Sequence, residues 1–111
     1  MVTISRNGNV VTFINVFRVE PANQARLVEM WIEVSETYFR QAPGLISASL
    51  HQSRDGSRVV NYAQWESAAA WEELVATWRD KLGAFEEFST PDPHLYDVVH
   101  IMKPQRAGGE T

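Results

Sequence analysis

The sequence predicts an α+β domain of the ferredoxin-like type, with the element order β-α-β-β-α-β and a four-stranded antiparallel sheet. Four segments rich in β-branched and aromatic residues alternate with two stretches of helical periodicity. An Asp55-Gly56 turn joins the two middle strands as a hairpin. The chain has 111 residues, which is enough for one domain. We expect residues 10–103 to form this domain, between a flexible arm (1–9) and a disordered tail (104–111).

The first half of the chain is predicted to form a strand, a helix and a second strand. The segment VVTFINVFRV (10–19) has the composition of a strand. Pro21 has a position typical of a helix start, and apolar residues at spacings of three and four over 22–41 indicate one buried helix face. That face comprises Ala25, Val28, Trp31, Val34 and Tyr38. The segment LISASLHQS (45–53) alternates weakly and is predicted to be the second strand.

The second half is predicted to form two strands with a helix between them. RVVNYAQWE (58–66) is the third strand, and Ser67 is a suitable N-cap for the helix that follows. Apolar residues continue at helical spacing through a second, broken helix: Trp71, Leu74, Val75, Trp78, Leu82, Phe85 and Phe88. HLYDVVHIM (94–102) is predicted to be the last strand.

Composition excludes several classes of function. Fourteen acidic and ten basic residues give a net charge of −4 without a basic stripe, so nucleic-acid binding is not expected. No apolar run is long enough for a membrane span, and the N-terminus lacks the apolar core of a signal peptide. The absence of cysteine excludes disulfides, thiol nucleophiles and cysteine zinc sites, and it fits a cytoplasmic protein. The three histidines have no spacing that suggests a metal site, so no metal is expected.

One face of the predicted sheet carries the residues that we expect to bind a ligand. Side chains alternate along a strand, so Asn61, Ala63 and Trp65 share a face. By the same parity the first strand contributes Phe13, Asn15 and Phe17, and the last strand Tyr96, Val98, His100 and Met102. An apolar surface with a few polar groups is typical of a small-molecule pocket. Trp71 and Trp78, on the second helix, are placed to close it.

The opposite face is apolar and predicts an interface. It carries Ile14, Val16, Val60, Tyr62, Val99 and Ile101. Two helices cannot cover both faces of one sheet, and an exposed apolar sheet usually marks an interface. We therefore expect a homodimer that packs through the open sheet face.

The register of the second strand leaves two alternatives for His51. A two-residue Asp55-Gly56 turn sets Leu50 beside Asn61, whereas a three-residue turn sets His51 near the face of Asn61. In the second case His51 faces the pocket and can serve as a base, because the ordinary pKa of imidazole lies near working pH.

The segment GLISASLHQSRDGSRVVNYAQWES (44–67) resembles the antibiotic biosynthesis monooxygenase family, especially the small quinone-forming monooxygenases of aromatic polyketide pathways of the actinorhodin type. The resemblance implies a dimeric ferredoxin-like α+β barrel with a pocket in each subunit. It implies oxidation of a phenolic or polycyclic aromatic to a quinone by O2, without metal, flavin or haem. By position, Asn61 would hydrogen-bond to a substrate oxygen, and Trp65 would do so through its indole N–H.

The sequence also departs from the quinone-forming enzymes at three places. Leu50 and Trp71 stand where those enzymes carry pocket tyrosines, and their helix-two arginine has no evident equivalent in LGAFEEF (82–88). These departures favour an alternative in which the chain is a dimeric small-molecule binding or pathway accessory protein without turnover.

The haem-degrading branch of the same superfamily is a further alternative. It uses a strand-one asparagine and a strand-three tryptophan, which Asn15 and Trp65 match by position. It also needs a histidine late in the second helix, where this chain offers Phe88 or Ser89.

Overall fold

A computed structural model of the protein describes residues 10–105. The strands are β1 (Val11–Val19), β2 (Leu45–Gln52), β3 (Arg58–Trp65), β4 (Ser89–Thr90) and β5 (Pro93–Tyr96). The helices are α1 (Gln24–Val34), α2 (Ala68–Thr77) and α3 (Arg79–Gly83). The strands form one antiparallel sheet in the order β2-β3-β1. On the edge of β1 that faces away from β3, the strand β4 pairs with the C-terminal end of β1 and β5 with its N-terminal half. The predicted α+β, ferredoxin-like class is confirmed.

Some sequence-based predictions fall on the ends of the chain. The predicted arm (1–9) lies outside the described residues, as does 106–111 of the predicted tail. Pro104 and Gln105 are exposed and lie outside any helix or strand. The described residues contain no helix that is long and apolar enough to cross a membrane.

The central hairpin has the register that a two-residue turn produces. Leu50 lies opposite Asn61, and Gly56 at the turn has a positive φ of 83°. The Asp55 carboxylate accepts hydrogen bonds from the Ser57 amide at 2.9 Å and from the Ser57 hydroxyl at 2.7 Å. These hydrogen bonds, the Ser57 hydroxyl first, lower the pKa of Asp55 to about 2. The turn is therefore held by an ionised aspartate, as Asp-Gly turns commonly are.

The first helix is longer than α1 because a 3-10 turn (Pro21–Asn23) precedes it and a π-helix (Ser35–Phe39) follows it. Its buried residues are Leu27, Trp31 and Phe39, whereas Ala25 is exposed. The predicted face is thus partly wrong. A π-turn contains about one residue more than an α-turn, which shifts the phase so that Phe39 is buried in place of Tyr38.

The second helix is broken as predicted. Trp78, with φ −113° and ψ 23°, separates α2 from α3. Ser67 is the N-cap of α2, since its hydroxyl accepts a hydrogen bond from the Ala70 amide at 3.1 Å. The loop before β2 passes close to this helix start. Gly44 has a φ of +87°, and a Cβ there would lie 2.6 Å from the Cβ of Ala70.

The last strand is shorter than predicted, since β5 ends at Tyr96, and the short strand β4 precedes the predicted range. Tyr96, the last residue of β5, pairs with Thr12, and β1 begins at Val11. The described pairing of β5 with β1 ends at Tyr96 and Thr12. Val99 and Ile101 are exposed and outside any strand. The prediction that 94–102 is a single strand is therefore wrong.

Candidate active site

A cavity of about 630 Å3 lies between the helices and one face of the sheet. Its floor is formed by side chains from β1 and β3: Phe13, Asn15, Phe17, Asn61, Ala63 and Trp65. The first helix and its π-helical end contribute Trp31, Ile32, Ser35, Glu36, Phe39 and Arg40. The second, broken helix contributes Trp71, Leu74, Val75, Arg79 and Leu82. A mostly apolar cavity of this size, with few polar groups, is suited to a small organic ligand.

Two asparagines lie side by side at the centre of the floor. Asn15 and Asn61 are direct cross-strand partners on the same face of the sheet. The Oδ1 atom of Asn15 accepts a hydrogen bond from the Asp92 amide at 3.0 Å, so this side chain also fixes the loop before β5. The side chain of Asn61 forms no hydrogen bond within residues 10–105. Its donor and its acceptor are therefore both available to a ligand.

Trp65 lies at one end of the floor and has a buried donor without a partner. The residue is 3% exposed, and its Nε1 atom is buried with no acceptor among the described residues. Buried N–H groups are normally hydrogen-bonded in native proteins. Trp65 packs with Phe13 and Ala63, and Trp71 closes this end with its ring 5.2 Å from that of Phe13. The indole N–H of Trp65 is thus an unpartnered donor in apolar surroundings beside the cavity.

Charged groups lie at the mouth of the cavity. Glu36 and Arg40 form an exposed ion pair of 2.8 Å. Arg79 and Glu86 are exposed lining residues, and neither has an ion pair in the described part of the chain. These four are the acidic and basic residues of the lining. The chemistry of the interior therefore depends on neutral hydrogen-bond donors and aromatic rings.

Arg79 is a residue that the sequence analysis did not place at the site. The sequence analysis finds no evident equivalent of the helix-two arginine of the quinone-forming enzymes in residues 82–88. Arg79 follows directly on the break at Trp78, whose position the helical spacing in the sequence does not reveal. The structure puts Arg79 at the cavity mouth.

Five of the predicted site residues line this one cavity: Asn15, Phe17, Asn61, Trp65 and Trp71. Leu50, which stands where the quinone-forming enzymes have a tyrosine, also lines it. The structure brings these side chains together as the strand parity predicts. Their catalytic and binding roles stay predictions.

His51 does not face the cavity. It lies opposite Val60 in the hairpin, one position out of phase with Leu50, and therefore on the other face of the sheet. It is exposed, and its Nε2 atom lies 2.8 Å from the hydroxyl of Ser49. The prediction of His51 as a pocket base is wrong, because the observed turn selects the other register.

Trp78 and His100 also lie outside the cavity lining. Trp78 packs against Tyr38 with ring centroids 4.5 Å apart, because the helix break turns it toward the first helix. His100 is exposed and lies past the end of β5, so the strand parity that placed it in the pocket does not apply. Both substrate-binding predictions are corrected.

The three histidines of the chain, His51, His94 and His100, are all exposed and all absent from the lining. The haem-degrading alternative needs an axial histidine in the pocket. None of the three can supply it from these positions.

Residues 10–88 match the family model of antibiotic biosynthesis monooxygenases. The chain belongs to this family. It is 39% identical over 102 residues to the tetracenomycin-F1 monooxygenase of Streptomyces glaucescens, a match that covers 90% of this chain and 91% of that protein. The resemblance found in the central hairpin is thereby confirmed. The family and this relative make the chain a monooxygenase, and hence an oxidoreductase.

Solved structures agree with the fold and the family. The monooxygenase ActVA-Orf6 of Streptomyces coelicolor, solved with nanaomycin D, superposes with a TM-score of 0.73 at 29% identity, covering 85% of this chain and 91% of that one. SnoaB, a cofactor-independent oxygenase from Streptomyces nogalater, superposes with a TM-score of 0.75 at 23% identity, covering 87% of this chain and 100% of that one. At that identity the second likeness concerns the fold alone.

Proposed function

We propose that this monooxygenase uses O2, without a cofactor, to oxidise a phenolic or polycyclic aromatic of the anthrone or dihydroquinone kind to a quinone. The observation that carries the proposal is the pair of free groups on the cavity floor. The Asn61 side chain and the Trp65 indole N–H have no partner within residues 10–105, although Trp65 is almost fully buried. Unpartnered groups of this kind suit separate oxygen atoms of a bound substrate.

The proposed reaction balances without an added reductant when the substrate is an anthrone. A ring CH2 and one O2 become a ring C=O and one H2O. The substrate first loses a proton to give an electron-rich anion, which transfers an electron to O2. The two radicals combine to a C–O bond, and the resulting peroxide loses water to leave the carbonyl. The substrate is thus the electron donor.

The protein's main contribution is to stabilise the substrate anion. Donors aimed at an oxygen that gains charge are most effective in a dry, apolar site, because they need no reorganisation and are weakly screened. Hydrogen bonds from Asn61 and Trp65 would therefore lower the pKa of the bound substrate. The acidic residues of the lining, Glu36 and Glu86, lie exposed at the mouth. We propose that the proton leaves through the mouth, to one of these carboxylates or to water.

The aromatic lining suits a flat ring system. Phe13 and Trp71 form one end of the cavity, and Phe17, Phe39 and Phe85 belong to the other. Aromatic side chains bind flat apolar ligands through large contact areas with offset or edge geometry. The name of the S. glaucescens relative gives tetracenomycin F1 as its substrate, and the S. coelicolor structure holds nanaomycin D. These names favour a ligand from the aromatic polyketide class for this monooxygenase.

We also propose that the protein is a homodimer that packs through the open sheet face as a dimeric α+β barrel, in the cytoplasm. Apolar side chains of the face that points away from the helices, Ile14, Val16, Val60 and Tyr62, remain partly exposed. Tyr96 is 46% exposed on the same face, because it lies opposite Thr12; the prediction that Tyr96 faces the pocket is wrong. Burial of such a face is strongly favourable. Light scattering at micromolar concentration should give the mass of a dimer, and a clean monomer would contradict the dimer.

The test of the function is oxygen consumption by chelator-treated protein supplied with anthrone. We expect uptake above the autoxidation rate with quinone formation, and a loss of about 10- to 100-fold in the Asn61→Ala variant, the size of one hydrogen bond to a charged oxygen. His51→Ala, on the other face, is the control and should retain the rate. Saturable anthrone binding without oxygen uptake would contradict an oxygenase and support the small-molecule binding protein.

A further inference from the structure

The side-chain amide of Asn15 presents only its donor end to the cavity. Its Oδ1 atom accepts the hydrogen bond from the Asp92 backbone amide at 3.0 Å. The reverse orientation would set two hydrogen-bond donors, Nδ2 and the Asp92 N–H, against each other, so this contact assigns the two ends of the side chain. The carbonyl end is therefore occupied by the protein itself, whereas both ends of the Asn61 amide are free within residues 10–105.

The Nδ2 atom of Asn15 is accessible from the cavity. It forms no hydrogen bond within residues 10–105, yet it is not one of the fully buried polar atoms without a partner in that range. Asn15 is 8% exposed and lines the cavity, so this remaining surface faces the cavity. In this respect Nδ2 differs from the Nε1 atom of Trp65, which is fully buried. Asn15 thus has a donor that a ligand can reach.

The loop before β5 holds this contact in place. Pro93 lies opposite Asn15 in the ladder between β1 and β5, and it has no backbone N–H to donate to the neighbouring strand. The Asp92 amide donates to the Asn15 side chain instead, and the Asp92 carbonyl accepts a hydrogen bond from the Val16 amide at 3.4 Å. Pro91 and Pro93 restrict the backbone on both sides of Asp92, and both line the cavity. Both backbone polar groups of Asp92 are therefore engaged by β1.

We propose that the backbone amide of Asp92 is a positioning group of the active site, which fixes the Asn15 amide so that Nδ2 donates to a substrate oxygen. This position favours the ionised oxygen of the substrate anion, because hydrogen bonds to a charged acceptor are about twice as strong as neutral ones. Without the loop contact, the amide would be free to turn its carbonyl toward the same oxygen and bind the neutral hydroxyl. The inference rests on the proposed function for the nature of that oxygen.

The ionisation of a bound probe tests the inference. The probe is 2-hydroxyanthraquinone, which absorbs at longer wavelength when its hydroxyl group is ionised, and the ratio of anion to neutral form is read at one pH near its own pKa. Asp92→Pro removes the backbone N–H, and Asp92→Ala is the matched variant that loses the same carboxylate but keeps the N–H. We expect Asp92→Pro to lower the bound ratio about tenfold, and Asp92→Ala to keep the wild-type ratio. Equal ratios in the two variants would overturn the inference.

A second measurement uses the wild-type protein and so does not depend on the folding of Asp92→Pro. In a nitrogen-15 spectrum the side-chain NH2 of Asn15 gives a pair of signals. Asn15→Asp assigns them, because it removes these signals while keeping an acceptor for the Asp92 amide. The ionised probe should move one of the two signals downfield. Asn15 signals that stay unmoved, although calorimetry shows that the probe binds, would overturn the inference, because Nδ2 would then not donate to the ligand.

The outcomes separate this inference from the proposed function. A lower anion ratio in Asp92→Pro, but not in Asp92→Ala, supports the positioning role even if no oxygen is consumed, in which case only the oxygenase proposal fails. Oxygen uptake by the wild type, together with equal anion ratios in the two variants, overturns the positioning role of Asp92 and leaves the oxygenase proposal standing.

Discussion

Replacement of Trp65 by phenylalanine should separate stability from function. In the free protein the Trp65 Nε1 atom is buried without an acceptor in the described residues. Such a group costs about 1–3 kcal/mol, which the variant recovers. The smaller ring loses buried surface worth about 1–2 kcal/mol, on the basis of roughly 0.8 kcal/mol per methylene equivalent. These two effects oppose each other, so the free energy of unfolding should change by about 1 kcal/mol or less.

Function should respond differently to the same substitution. A hydrogen bond from the indole to a charged substrate oxygen contributes about 1.5–3 kcal/mol. At 1.4 kcal/mol per factor of ten, its loss should lower kcat/KM for anthrone about 10- to 150-fold. Urea unfolding and steady-state oxygen uptake on the same samples measure both quantities. Trp78→Phe is the control and should lose some stability at full activity, because Trp78 packs on Tyr38 outside the cavity.

The reasoning about Trp65 is refuted by the opposite pattern. A loss of 3 kcal/mol or more in the free energy of unfolding, together with unchanged kcat/KM, would mean that the indole N–H already has a partner in the fold. Trp65 would then be a core residue and not a ligand of the substrate.

Further predictions concern the parts of the fold that support the site. Gly44→Ala should cost about 2–4 kcal/mol in chemical denaturation, since it combines a positive φ with a clash against Ala70; a loss below 0.5 kcal/mol would contradict this. Ser67→Ala should cost about 1 kcal/mol by removing the N-cap of α2, and an unchanged Tm would show that another group caps the helix. The folded pKa of Asp55 is lowered from 3.8 to about 2, so its contribution to stability is complete above pH 3.8 and is lost as the pH falls through about 2. An NMR titration of the side-chain carboxyl carbon should show that midpoint, and a midpoint near 3.8 would exclude the hydrogen bonds in the turn.

The sequence predicted the layout of the floor because strand parity depends only on alternation within each strand. Asn61 and Trp65 share a face by parity, and the pairing of Asn15 with Asn61 brings Phe13, Asn15 and Phe17 of β1 onto the same face. The same rule could not place His51, since its face depends on the length of the turn at Asp55 and Gly56. A shift of one residue in the pairing register of a strand moves each of its side chains to the other face of the sheet.

The positions of Trp78 and His100 depend on features that periodicity does not reveal. The break at Trp78 changes the direction of the second helix, and a continuous helical pattern gives no sign of which way the ring turns. His100 falls in an apolar segment that has strand composition, but β5 ends at Tyr96. A strand requires a neighbouring strand as well as its own propensity, and that neighbour is a tertiary property.

The first helix shows a similar limit at Phe39. A uniform α-helical spacing selects Tyr38, whereas the π-helix selects Phe39 and places Trp31 and Phe39 against each other. Single residues inserted in a helical turn leave little trace in composition. The packing of Trp31 against Phe39 was therefore visible in the sequence only as part of an amphipathic face.

The most direct test of a cofactor-independent oxygenase is the origin of the new oxygen atom. Chelator-treated protein is given anthrone under isotopically heavy O2, and the quinone is analysed by mass spectrometry, with a parallel sample without protein to measure autoxidation. The account predicts one heavy oxygen atom in each quinone molecule, formed faster than in the blank and slowed in Asn61→Ala. Quinone formed only at the rate of the blank, or quinone without the heavy atom, would contradict it.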